Sequence, residues 1–185
     1  MKKYSALWLL LLALCSIFAG CKKDNANAAT QQDILPPATQ TGANTFGCLV
    51  NGKVWIPKGS EPNGVKPNPH IIYSTGINGI PYLSIDTRQF SNNSSIGEIY
   101  ISFGNLNRLG FYMAGADFRF SSGWSTVLGN CGMTTLDSTV QSRGGGVITK
   151  LDIPNQIIAG TFAFKAKRPN CDTVFITDGR FDIKF

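Results

Sequence analysis

Over residues 45–185 short runs of alternating apolar and polar residues are broken at turn dipeptides. A two-residue period turns one side of an extended chain toward a core, so the pattern predicts strands. In FGCLVNGKVWIP the pair Asn51-Gly52 tolerates positive φ and predicts a hairpin, setting Leu49 opposite Val54 and Cys48 opposite Trp55. Asn78-Gly79 predicts a second, with Ile72 opposite Ile85 and Ser74 opposite Leu83. Asp178-Gly179 predicts a third, pairing Ile176 with Phe181 and Val174 with Ile183. Those four and Phe185 would share a buried face; Thr173, Thr177, Arg180, Asp182 and Lys184 would face water, with Phe175 as the apolar exception.

Upstream, VITKLD and IIAGTFAFKAK flank a Pro154-Asn155 turn, with Phe162 and Phe164 inward and Lys165 and Lys167 outward. EIYISF alternates Ile99, Ile101 and Phe103 in the same way, and GFYMAGADFRF suggests two short strands. SSGWST and the Gly144–Gly146 run read as loops. No stretch after residue 44 has helical periodicity and no tandem repeat is visible. The fold class expected is all-β, an antiparallel β-sandwich of immunoglobulin-like or jelly-roll-like kind, with a partly closed barrel as the alternative.

Composition agrees. Twenty glycines, nine prolines and only two glutamates, Glu61 and Glu98, argue against a helical protein, and 43% hydrophobic content excludes a wholly disordered one.

The first residues carry a different pattern. Lys2 and Lys3 precede an almost wholly apolar run, Ala6 to Ala19, which falls short of the roughly 20 residues a membrane span needs. A basic head, a short apolar run and a small-residue end make a secretory signal. Its end, Phe18-Ala19-Gly20-Cys21, resembles the lipobox of bacterial lipoproteins, although Phe18 replaces the usual Leu. The resemblance implies a signal peptide over 1–20, lipidation of Cys21 and anchoring in the membrane through that lipid. Each buried methylene adds about 0.8 kcal/mol, so two or three acyl chains hold firmly. Lys22 stands where an inner-membrane retention signal has Asp, so the outer membrane is the expected location, its periplasmic or surface face left open. Two of the six net positive charges are thus export charges.

Residues 22–44 are small and polar with a Pro-Pro pair, and predict a flexible tether with a span of about 25 Å. The expected organisation is therefore signal 1–20, lipidated tether 21–44 and one domain, 45–185. After processing, Cys48, Cys131 and Cys171 remain, and export permits a disulfide. Cys48 faces Trp55 in a hairpin and suits a buried hydrophobe, whereas Cys131 and Cys171 both follow Asn in loop-like sequence. The expected bridge is Cys131–Cys171; the alternative is three separate thiols.

Catalytic chemistry is thinly provided. The chain holds one histidine, His70, with no G-x-S-x-G elbow and no Cys nucleophile context. No clustered His and Cys suit zinc, and no calcium-loop pattern occurs. Gly144-Gly145-Gly146 lacks the Lys and Ser or Thr of a phosphate-binding loop. Asp178 is explained by its turn and Asp182 by an exposed strand face, while Asp86, Glu98, Asp117, Asp137 and Asp172 cannot be paired from sequence. No catalytic, metal or cofactor-binding residue is expected, and no cofactor. Trp124, among small polar residues, is the candidate ligand platform; Trp55 suits the core. Lys165, Lys167 and Arg168 read as a solvated face and loop, and nucleic acid is excluded as a partner.

Three segments, TFGCLVNGKVWIP, GGGVITKLDIPNQIIAGTFAFKA and CDTVFITDGRFDIKF, resemble a family of small Bacteroidota lipoproteins whose domain has no assigned function. The resemblance implies an all-β lipoprotein domain and carries over no catalytic residue. The expectation is a non-catalytic binding or interaction module with a carbohydrate or protein partner. An envelope assembly subunit docking a partner protein is the alternative, and a carboxylate-based hydrolase the third reading.

Overall fold

The computed structural model describes residues 33–62, 64, 66–76, 78–92, 94–123 and 131–185. Among them eleven strands and no helix occur, arranged as two antiparallel sheets packed face to face, an open β-sandwich. The strands are β1 (Thr45–Val50), β2 (Lys53–Trp55), β3 (His70–Thr75), β4 (Pro81–Ser91), β5 (Ser94–Phe103), β6 (Gly110–Met113), β7 (Phe118–Gly123), β8 (Met133–Thr134), β9 (Gln141–Asp152), β10 (Ile157–Lys167) and β11 (Val174–Lys184). The larger sheet has the order β2-β1-β11-β10-β9-β6, the smaller β3-β4-β5-β7-β8. Cys21 and Trp124 lie outside the described residues.

The core is aromatic and spans both sheets. Phe120 of the smaller sheet stacks on Phe164 of the larger, with centroids 4.0 Å apart, and Phe103 meets Phe181 at 5.5 Å. Burying each such side chain contributes about 1.5–3 kcal/mol, and ring pairs add about 0.5–1.5. The alternation read in β5 and β10 holds: Ile99, Ile101, Phe103, Phe162 and Phe164 are buried. So are Trp55 and Cys48, which face each other across the Asn51-Gly52 hairpin, with Leu49 opposite Val54.

The second hairpin is shifted by one residue. Ile71, not Ile72, faces Ile85, and Tyr73 faces Leu83. Its turn is anchored wider than two residues: Gly76 N–H donates to Ile80 O at 2.9 Å, and Gly79 N–H donates to Gly76 O. Gly79, at φ 71°, closes the turn in the left-handed region. The shift turns Ile71 and Tyr73 toward the core beside Leu83 and Ile85, whereas Ile72 is 42% exposed.

The third hairpin does not exist. Val174–Lys184 is one continuous strand between β1 and β10, and Asp178-Gly179 is a bulge within it. On one flank Phe162 faces Gly179 and Phe164 faces Ile176; on the other Gly47 faces Arg180 and Leu49 faces Thr177. One extra residue therefore sits in β11, with Asp178 at φ 51°. The extra residue switches the parity of the strand. Val174 and Ile176 thus share the buried side with Phe181 and Ile183, as a hairpin would also have arranged. Folding back at Asp178 would leave β1 and β10 without the strand that joins them.

The Gly144–Gly146 run, expected as a loop, lies within β9. Its glycines are there for close approach: a Cβ on Gly145 would lie 2.0 Å from Tyr112 O, and one on Gly146 would lie 2.5 Å from the Phe103 ring. The compact unit also begins earlier than residue 45. It runs from Asp33 to Phe185, so part of the expected tether belongs to the domain.

Candidate functional site

Asp182 determines where the larger sheet is open. Sequence placed it on an exposed face, but it is 1% exposed, because residues 39–42 cross over it. Its carboxylate accepts Thr39 Oγ1–H at 2.6 Å, Thr41 N–H at 2.9 Å, Thr41 Oγ1–H at 3.1 Å and Gly42 N–H at 2.7 Å. Burial alone would raise its pKa; the donors from Thr39, Thr41, Gly42 and Ala43 outweigh that and hold it at about 2. This clamp holds residues 35–42 over the outer face of β1 and β11, where Leu35 and Pro36 approach Gly47, and the groove opens beyond them, beside Ala38.

Beyond the clamp, strand register lays out three rows across β6, β9, β10 and β11. The first is Phe111, Val147, Thr161 and Arg180. The second is Met113, Gly145 and Ala163, ending at the Asp178 bulge. The third is Arg143, Lys165 and Phe175. Between Phe111 and Arg180 lies a groove of about 450 Å³, floored by Gly145, Val147, Thr161 and Ala163 and bounded by Ala38 of the crossing segment. Three strand spacings make it about 14 Å wide. Its volume falls in the range of small-molecule sites.

Phe111 and Arg180 wall the groove and Asp178 also lines it; Met113, Arg143, Lys165 and Phe175 flank it on the same face. Phe111, Met113 and Phe175 are 52%, 60% and 46% exposed. The Phe111 ring overhangs Gly145, where a Cβ would come within 3.0 Å of it. Lys165 Nζ lies 5.4 Å from the Phe175 ring centroid, a cation–π contact. Arg180 donates to two carbonyls, Asp178 O at 3.1 Å and Pro36 O at 3.5 Å. Among the described residues no carboxylate forms an ion pair with Arg143, Lys165, Lys167 or Arg180. Arg168, grouped with Lys165 and Lys167 in sequence, instead pairs with Asp137 at 3.5 Å. Arg143 takes its place beside the lysines, a neighbour that only register discloses.

Two of the carboxylates that sequence could not pair, Asp86 and Glu98, meet elsewhere, together with Glu61. On the outer face of the smaller sheet Arg88 contacts Glu61 at 2.8 Å, Asp86 at 3.1 Å and Glu98 at 3.8 Å. Asn68 braces the strand there, accepting Arg88 N–H at 3.0 Å and donating to Arg88 O at 2.8 Å. His70, opposite Asp86, borders the same depression, whose volume of about 10 Å³ is room for one water. Asp137 is engaged with Thr139, whose hydroxyl and N–H lower its pKa. Among the described residues no three His, Cys, Asp or Glu side chains gather as a metal site.

Cys131 and Cys171 form a disulfide, joining the stretch before β8 to the β10–β11 connection. Cys48 is free and buried, and burial pushes its thiol up to about 12. No protein-family model, curated protein or solved structure matches this chain.

Proposed function

We propose that this chain is a lipid-anchored, extracytoplasmic binding module without catalytic activity, and that the groove of the larger sheet is its binding surface. The groove itself carries the reading: the exposed Phe111 ring and the Arg180 guanidinium face each other across a floor of small residues, and the exposed Arg143–Lys165 pair flanks it one row beyond. Such surfaces hold a ligand by contact, and they are costly to leave in water without one. Two further features support it. The only carboxylate group around a shared partner, among the described residues, is tied to Arg88 by ion pairs, an arrangement suited to bracing a sheet. The lipobox-like Phe18-Ala19-Gly20-Cys21 supports the anchor, and Lys22 in place of a retention Asp supports the outer membrane as its location.

The site is tested by filling it. Ala163→Trp places an indole on the groove floor, from a side chain that faces solvent. Glycan and envelope-protein arrays probed with both forms should give a signal that the variant loses. Hits retained undiminished by Ala163→Trp would exclude the groove. The anchor is read by mass spectrometry of the mature amino terminus, where a diacylglyceryl adduct on Cys21 is expected and a free thiol would refute it.

A further inference from the structure

We propose that the ligand of this face is an anionic oligosaccharide, its sugar rings lying in the groove beside Phe111 and its acid groups reaching Arg143 and Lys165, which flank the groove one row beyond its floor. This rests on the groove being the binding surface. The decisive observation is the third row, where Arg143 and Lys165 stand directly opposite each other on adjacent strands. Like charges in that position repel. No carboxylate among the described residues relieves them, and Lys167 adds a third cation two residues along the same outer face. An acid group from outside would bridge the pair with charge-assisted hydrogen bonds.

The surroundings specify the rest of the ligand. A sheet face offers no free backbone N–H or C=O, so the ligand must be recognised through side chains. Peptides that extend a sheet do so at an edge, and the edges here are the short strands β2 and β6, of three and four residues. Phe111 and Met113 present apolar surface suited to the C–H face of a sugar ring. Thr161, Arg180 and Asp178 line the same groove, the one carboxylate standing at the β11 bulge, away from the Arg143–Lys165 row. A concave channel about 14 Å wide fits a linear saccharide and cannot follow a flat lipid surface.

The experiment titrates the full chain in detergent with acidic hexasaccharides, one of galacturonate and one sulfated, by calorimetry at 50 mM and 300 mM salt. The methyl-esterified galacturonate hexamer supplies the same backbone without charge. Poly-glutamate and anionic phosphatidylglycerol vesicles serve as the other acidic probes. Binding of at least one acidic hexasaccharide is expected, at least tenfold weaker for Arg143→Gln/Lys165→Gln and for Phe111→Ala, and weaker at the higher salt. All three changes are at exposed positions, and unchanged melting temperatures verify that the variants fold. Equal binding of the methyl ester, or no effect of the double variant, overturns the anionic assignment while leaving the groove as a binding site. Binding of poly-glutamate or vesicles alone overturns it, as does binding of none of the probes. Array signals and saccharide binding retained undiminished by Ala163→Trp would instead refute the groove.

Discussion

The carboxylate of Asp182 accepts the backbone N–H of Gly42 at 2.7 Å, tying the last strand to a segment 140 residues earlier. A carboxylate so placed makes stability depend on pH. Its folded pKa of about 2 lies below the ordinary 3.8. Its contribution is therefore complete above about pH 4 and is lost as pH falls through about 2, on the order of 2 kcal/mol in all. Urea unfolding of wild type and Asp182→Asn should differ most at pH 5–7, with the gap closing toward pH 2. A gap independent of pH would refute the clamp.

Gly179 sits where a Cβ would lie 2.4 Å from Phe162 O and 2.5 Å from the Phe162 ring. Gly179→Ala must push β10 away or displace that ring from the core. A loss of about 3 kcal/mol is expected, against about 1 kcal/mol for Gly52→Ala. At Gly52 the Cβ has open space and only φ of 80° opposes it. Chemical denaturation of both variants gives the comparison, and equal losses would contradict the bulge geometry.

The Cys131–Cys171 bridge spans a sequence separation of 40. In the chain-entropy model such a loop contributes about 4 kcal/mol. The double variant Cys131→Ser/Cys171→Ser should show a correspondingly lower urea midpoint, and reductant should leave that variant unchanged while weakening the wild type.

Cys48 gives an internal reporter of unfolding. A buried thiol whose pKa is pushed to about 12 has almost no thiolate at pH 8. Iodoacetamide should leave Cys48 unlabelled in the folded protein and modify it only as the chain opens, as followed by peptide mass spectrometry. Fast labelling without denaturant would show the strand pair Cys48–Trp55 to be open.

The same turn signal had two outcomes, and the difference shows what local sequence can express. Asn51-Gly52 makes its hairpin because β2 lies at the sheet edge with β1 as its one partner, a few residues away along the chain. Asp178-Gly179 has equally good turn chemistry, yet β1 and β10 pair with both flanks of the strand and straighten it into a bulge. The partners that decide the matter are over a hundred residues away on one side. The Gly144–Gly146 run misleads in a similar way. Its glycines answer to Tyr112, Ala163 and Phe103, which reach them only in the folded sheet. Asp182 looked like a solvent-facing strand residue because alternation describes a sheet face, not what later crosses it.

Alternating apolar residues, turn dipeptides and scarce glutamate determined an all-β sandwich, the inward side of β5, β10 and both flanks of β11, and the burial of Cys48 and Trp55. These are properties of period and composition, and neighbours in sequence suffice to express them. Register across distant strands decided the rest. It set Arg143 beside Lys165, moved Arg168 away to Asp137 and laid Phe111 over Gly145. A binding surface on a sheet is made of residues from different strands, so its charge and shape exist only once long-range pairing has aligned them.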